Sequence, residues 1–76
     1  MRYPIWVSQE DLKKLGARIR NLRIKQGLTI EKLAWENDMS KGNLSEIEKG
    51  IRNVRYLTLK KLAEALNVSI KKLVID

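Results

Sequence analysis

Cysteine, histidine and phenylalanine are absent from this 76-residue chain, and proline occurs once, at Pro4. Without cysteine or histidine there is no disulfide, no thiolate nucleophile, no imidazole general base and no zinc arrangement built on those ligands. Ser8, Ser40, Ser45 and Ser69 therefore have no histidine to activate them, and Glu46 and Glu48 fall on different faces of one helix. No apolar run approaches the roughly 20 residues that span a bilayer. Residues 1–7 have neither the apolar stretch nor the small-residue cleavage site of a signal peptide. A chain of this length buries only about 60% of the surface its unfolded form exposes, which leaves little volume for a deep substrate cavity. The expectation is a cytoplasmic protein that is not an enzyme, with no cofactor, no metal, no membrane contact and no small-molecule ligand.

What is present in excess is positive charge. Lysine and arginine total 16 against 9 acidic residues, a formal charge of +7. Such an imbalance on a small body points to a polyanionic partner, with nucleic acid ahead of an anionic membrane surface.

Apolar residues recur at helical spacing almost throughout, and no period-two run of β-branched residues appears, so the chain reads as all-α. Residues 1–7 form an arm that Pro4 marks as extended, and 8–76 form one domain. Ser8 caps a first helix whose Leu12, Leu15, Ile19 and Leu22 make one stripe, ended by Gly27 and the apolar Leu28. Thr29 caps a second helix from Ile30 to about Asn37, and Ser40 caps a third from Lys41 to Lys49. Gly50 with Ile51 repeats the glycine-plus-apolar stop. Two short helices joined by about three residues make a helix-turn-helix. A fourth helix carries Leu59, Leu62, Ala63 and Leu66 and ends at Asn67-Val68; by chemistry Thr58 is its best cap, with a start near Tyr56 behind Arg55 as the alternative. Ser69 caps a fifth, from Ile70 to Ile75.

Laid out this way, the series Leu15 to Arg23, Gly27-Leu28-Thr29, Leu33-Ala34, Met39-Ser40, Ile47-Glu48-Lys49-Gly50, Arg52 and Thr58 to Val68 resembles the lambda-repressor/Cro-type helix-turn-helix family. The resemblance covers roughly residues 12 to 74 and implies a compact five-helix DNA-binding domain in a prokaryotic or phage-encoded protein. Asn37 and Asp38 stand where the family usually has an apolar residue and glycine, and Val54 stands where proline is common. Asp38 can enter the left-handed region at modest cost, so the turn survives.

With Leu44 and Ile47 facing the core, steps of about 100° per residue put Gly42, Ser45, Glu46 and Lys49 on the opposite face, with Lys41 at the exposed N-terminal end. That face is free to enter a major groove. Lys41 can donate to guanine O6 and N7 and Glu46 can accept from cytosine N4, while Gly42 lets the helix end approach closely. The resemblance implies the same base-contacting positions: Lys41, Gly42 and Glu46, with Ser45 as an accessory. A carboxylate near phosphates is repelled unless it finds a donor, which makes Glu46 the least secure of them. Phosphate anchoring falls to Thr29 and the backbone amide of Ile30 on one side, to Arg52, Asn53 and Arg55 on the other, and to Asn43 and Lys49 on the helix itself. On this division Lys41→Ala weakens specific sites more than random DNA, whereas Arg52→Ala weakens both alike.

Arg23 and Glu48 match a charged pair that ties the first helix to the third in the family, so their role is structural. Arg18 and Arg20 are read as solvated, and Trp35 as half buried under the arm. One domain makes few base contacts, so a homodimer on a palindromic double-stranded site is expected, with Leu73, Val74, Ile75 and Trp6 in its interface. The leading expectation is a sequence-specific transcriptional regulator acting as a repressor. The alternative is a protein-interaction module or antitoxin-like adaptor. The resemblance leaves open a phage repressor, a restriction-modification controller or an antitoxin.

Overall fold

The spacing of leucine and isoleucine is realised as five helices in the computed structural model, which describes residues 9–74: α1 (Gln9–Lys25), α2 (Ile30–Glu36), α3 (Lys41–Lys49), α4 (Tyr56–Ala65) and α5 (Ile70–Val74). The arm and Ser8, with Trp6 among them, and Ile75 lie outside the described residues. Each helix supplies at least one side chain to a single core. Ile19, Leu33, Leu44, Leu62 and Leu73 are fully buried, joined by Leu66 just past α4. Burying a side chain of this size stabilises by about 1.5–3 kcal/mol relative to leaving it in water. The partly buried Leu15, Leu22, Leu28, Met39 and Leu59 pack around them.

The helix boundaries follow from caps that can be named. Thr29 Oγ1 accepts from the Lys32 amide at 3.1 Å, Ser40 Oγ from the Asn43 amide at 3.0 Å, and Ser69 Oγ from the Lys72 amide at 3.2 Å. Each satisfies a donor that the first turn leaves open. The stops share one geometry: a residue of positive φ, then an amide that reaches back over the last turn. Gly27 at 73° is followed by Leu28 N–H to Arg23 O, and Gly50 at 75° by Ile51 N–H to Glu46 O. Asp38 at 54° and Asn67 at 59° do the same with Met39 to Ala34 and Val68 to Ala63. Asp38 thus takes the left-handed conformation that the turn demands.

Of the two starts left open for α4, the structure takes Tyr56, with Arg55 as its N-cap and no side-chain cap bond, so Thr58 sits inside the first turn. Three expectations are corrected. Ile51 follows Gly50 but is 64% exposed, because the backbone bond to Glu46 O makes the stop without an apolar contact. Trp35 is 83% exposed on the outer face of α2, next to the buried Leu33 and Ala34 that hold the helix down. Arg18 is not simply solvated: its Nη1 donates to the carbonyl of Leu73 at 2.9 Å and so ties α1 to the end of α5.

Asn37, which departs from the family pattern, also finds a physical account. It is 6% exposed, and its Nδ2 donates to Leu33 O at 2.8 Å, so the amide that sits where the family usually has an apolar side chain finds a hydrogen-bond partner in α2, the helix it caps.

Candidate nucleic-acid interface

The position of α3 is set from behind. Leu44 and Ile47 enter the core, and Glu48, 9% exposed, meets Arg23 of α1 in a two-pronged ion pair. Arg23 Nε donates to Glu48 Oε2 at 2.8 Å and Nη2 to Oε1 at 3.1 Å, while Nη1 donates to Leu28 O at 2.9 Å. The hydrogen bond to Glu48 is the main reason the Arg23 guanidinium holds its proton even more firmly than usual, against the opposing effect of burial. Two glycines permit the close approach of α1: a Cβ on Gly16 would fall on the backbone carbonyls of Ile47 and Glu48, and one on Gly50 would strike the backbone of Lys13. The sequence pattern shows Gly16 but not its contact, since which residue faces it is fixed only by the packing of α1 on α3.

With that side occupied, the other side of α3 meets solvent. Lys41, Gly42, Asn43 and Lys49 are exposed, and Ser45 and Glu46 are half buried. Two ion pairs stitch this face to its flanks. Lys41 Nζ lies 3.2 Å from Glu31 Oε2, which brings the first turn of α2, with Thr29 and Ile30, beside the N-terminus of α3. Arg52 Nε lies 2.8 Å from Glu46 Oε1, which brings the loop after α3 alongside its middle. The Glu31 carboxyl is held below the usual carboxylate range, chiefly by a backbone hydrogen bond and then by Lys41. Neither partnership is visible in sequence, because each joins separate elements.

The loop residues Arg52, Asn53 and Arg55 are exposed. They border an open cleft of about 460 Å³ that also takes in Asn43, Thr58 and Lys61. Lys61 is a cation that pattern reading did not single out; on α4 it looks like any solvated lysine, and only the placement of α4 against the loop brings it to the cleft. The residues expected to contact bases and those expected to contact phosphates thus occupy one continuous surface, formed by the start of α2, the outer face of α3 and the loop into α4.

The expected dimer residues divide differently. Leu73 is fully buried in the core and has no surface to offer a partner, because α5 packs that face against α1 and α4. Val74 is 47% exposed, and Leu57 and Tyr56 at the start of α4 are 69% and 56% exposed. Among the described residues no helix is long and apolar enough to cross a membrane.

Comparison with known proteins gives a consistent result. Residues 19–73 match the family described as Helix-turn-helix. The control protein C.BamHI of Bacillus amyloliquefaciens is 39% identical over 59 residues, covering 76% of this chain and 73% of the relative. The crystal structure of the restriction-modification controller protein C.AhdI from Aeromonas hydrophila is similar with a TM-score of 0.81 at 38% identity, covering 84% of this chain and 97% of that one. SinR, a master regulator for biofilm formation solved in complex with DNA, is similar with a TM-score of 0.73 at 32% identity, covering 78% of this chain and 95% of its own.

Proposed function

The chain belongs to the lambda-repressor/Cro-type helix-turn-helix family, and from that premise we propose that it is a sequence-specific regulator of transcription that binds double-stranded DNA. In this reading residues 8–76 are the DNA-binding domain behind an arm of residues 1–7, and α3 enters the major groove. The observation that carries it is the two-sided character of α3, which buries Leu44, Ile47 and Glu48 and turns Lys41, Gly42, Ser45 and Glu46 outward. Those four residues face base edges. Thr29, the Ile30 amide, Asn43, Lys49, Asn53 and Arg55 hold the phosphates on either side, using cations and the open amides of a helix start.

The protein acts as a homodimer on a palindromic operator with half-sites about one helical turn apart, and occupancy of that site represses. Dimerisation doubles the few base contacts one domain can make. The likeness to the control protein C.BamHI and to the restriction-modification controller protein C.AhdI supports a controller role over the other roles that the family resemblance admits.

Selection of bound duplexes from a random DNA pool at about 150 mM salt tests this, because at that ionic strength much of the purely electrostatic binding is lost. Recovery of a palindrome is the expected result. Failure of the folded protein to enrich any sequence would remove the reading.

A further inference from the structure

Glu46 is an anion on a surface whose proposed partner is a polyanion, and its position on the reading face needs a physical justification. Unscreened, a carboxylate there is pushed away by the phosphates that line the groove. Arg52 supplies the missing charge. Its Nε donates to Glu46 Oε1 at 2.8 Å, while Glu46 Oε2 and the Nη1 and Nη2 atoms of Arg52 have no partner among the described residues. The bond is therefore made through the side of the guanidinium, leaving its two-pronged end open.

Stability does not explain the pair. The two side chains are 47% and 45% exposed, and ion pairs that wet contribute little to folding. What the pair does achieve is geometric. One N–H bond restricts the Glu46 rotamer, a nearby positive charge cancels its own, and a carboxylate with about four lone-pair sites keeps one oxygen available. The free oxygen matches a base-edge amine, of which cytosine N4 is the one most often read by a carboxylate.

We propose that Arg52 is a positioning residue for sequence reading, which makes Glu46 usable as an acceptor from a cytosine amine, rather than a phosphate anchor indifferent to sequence. The proposal rests on α3 being the reading helix. It reverses the simple division in which loop cations weaken all DNA equally when removed. It also distinguishes Arg52 from Arg55, which lies on the same loop and pairs with no carboxylate among the described residues.

The test measures binding of the full chain, at one salt concentration, to the selected duplex, to duplexes altered one base pair at a time, and to random duplex. Glu46→Gln is expected to flatten discrimination at one base pair by about tenfold, the usual worth of a good side-chain-to-base contact. Arg52→Ala is expected to flatten the same base pair to a similar extent, and the double variant to be no worse than either. Arg52→Lys keeps the charge but not the planar Nε–H donor, and is expected not to restore discrimination. Arg55→Ala serves as the internal control and is expected to lower affinity for all duplexes by a common factor. If Arg52→Ala instead lowers all duplexes by a common factor, or if Arg52→Lys restores discrimination fully, the positioning role is wrong while the reading of α3 stands. If the unaltered protein distinguishes no duplex, both fall together.

Discussion

Asn37 and Glu48 are the buried polar side chains among the described residues, and each bonds to a partner inside the protein. Asn37 spends its amide on the carbonyl of Leu33 and so needs no partner from another element. Glu48 depends on one residue 25 positions away, Arg23, whose side chain is itself only 12% exposed. A pair this dry recovers its desolvation cost only while both partners are present. Glu48→Ala is therefore expected to lower the unfolding free energy by about 3 kcal/mol, because it leaves Arg23 charged and shielded from water. Urea titration followed by circular dichroism reads this directly. Replacing both at once, Arg23→Met with Glu48→Leu, is expected to cost less than Glu48→Ala alone. A single variant no less stable than the parent would mean that Arg23 escapes to solvent and that the pair does not position α3.

Helices were legible where a residue's own chemistry decides the matter. Thr29, Ser40 and Ser69 can each hold an open amide of a first turn wherever the chain goes next, and Gly27 and Gly50 accept positive φ at no cost. The start of α4 was legible only as a choice between Thr58 as cap and a start at Tyr56 behind Arg55. Thr58 has capping chemistry, yet the helix begins at Tyr56 because packing of Leu59, Leu62 and Ala63 sets its register, leaving Arg55 as a cap without a side-chain bond. Contacts between elements were the least visible: Lys41 with Glu31, Glu46 with Arg52, and Gly16 against the carbonyls of α3 each depend on helix placement. Only the Arg23–Glu48 pair was anticipated, through the family resemblance. Gly16 offers a measurable consequence at the level of two packed helices. Alanine there must push α1 away from Ile47 and Glu48 or distort its own backbone, and overpacking of this kind costs about 1–3 kcal/mol. The alanine is also the better helix former by roughly 0.5–1 kcal/mol, which offsets part of that cost. A Gly16→Ala variant is expected to melt several degrees lower than the parent by calorimetry; an unchanged or higher midpoint would show that α1 does not lie as close to α3 as the glycine allows.

For the molecule as a whole, the proposed function gives charge and symmetry separate contributions to binding. A net charge of +7 draws the protein to any duplex and is weakened by salt. On the proposed reading, discrimination comes from the few side chains on α3, and one domain carries too few of them for a tight site. Two linked copies bind a palindrome more tightly than one because the second contact is made at high effective concentration. Leu73 is buried and cannot serve that linkage, so in the proposed dimer it falls to exposed apolar side chains of α4 and α5, of which Leu57 and Val74 are 69% and 47% exposed. Changing both to glutamate leaves the core residues in place and lowers the net charge by 2, from +7 to +5. The expected outcome is a folded monomer by analytical ultracentrifugation, with affinity for the palindromic duplex reduced about tenfold or more. Affinity for a single half-site should fall less than affinity for the palindrome, although Leu57 also lines the cleft beside Arg52, Asn53 and Arg55 and a carboxylate there repels nearby phosphates. A variant that remains dimeric and retains its grip on the palindrome would place the interface elsewhere on the surface. Loss of both activities in equal measure would mean that charge alone, and not symmetry, accounts for the affinity of the parent.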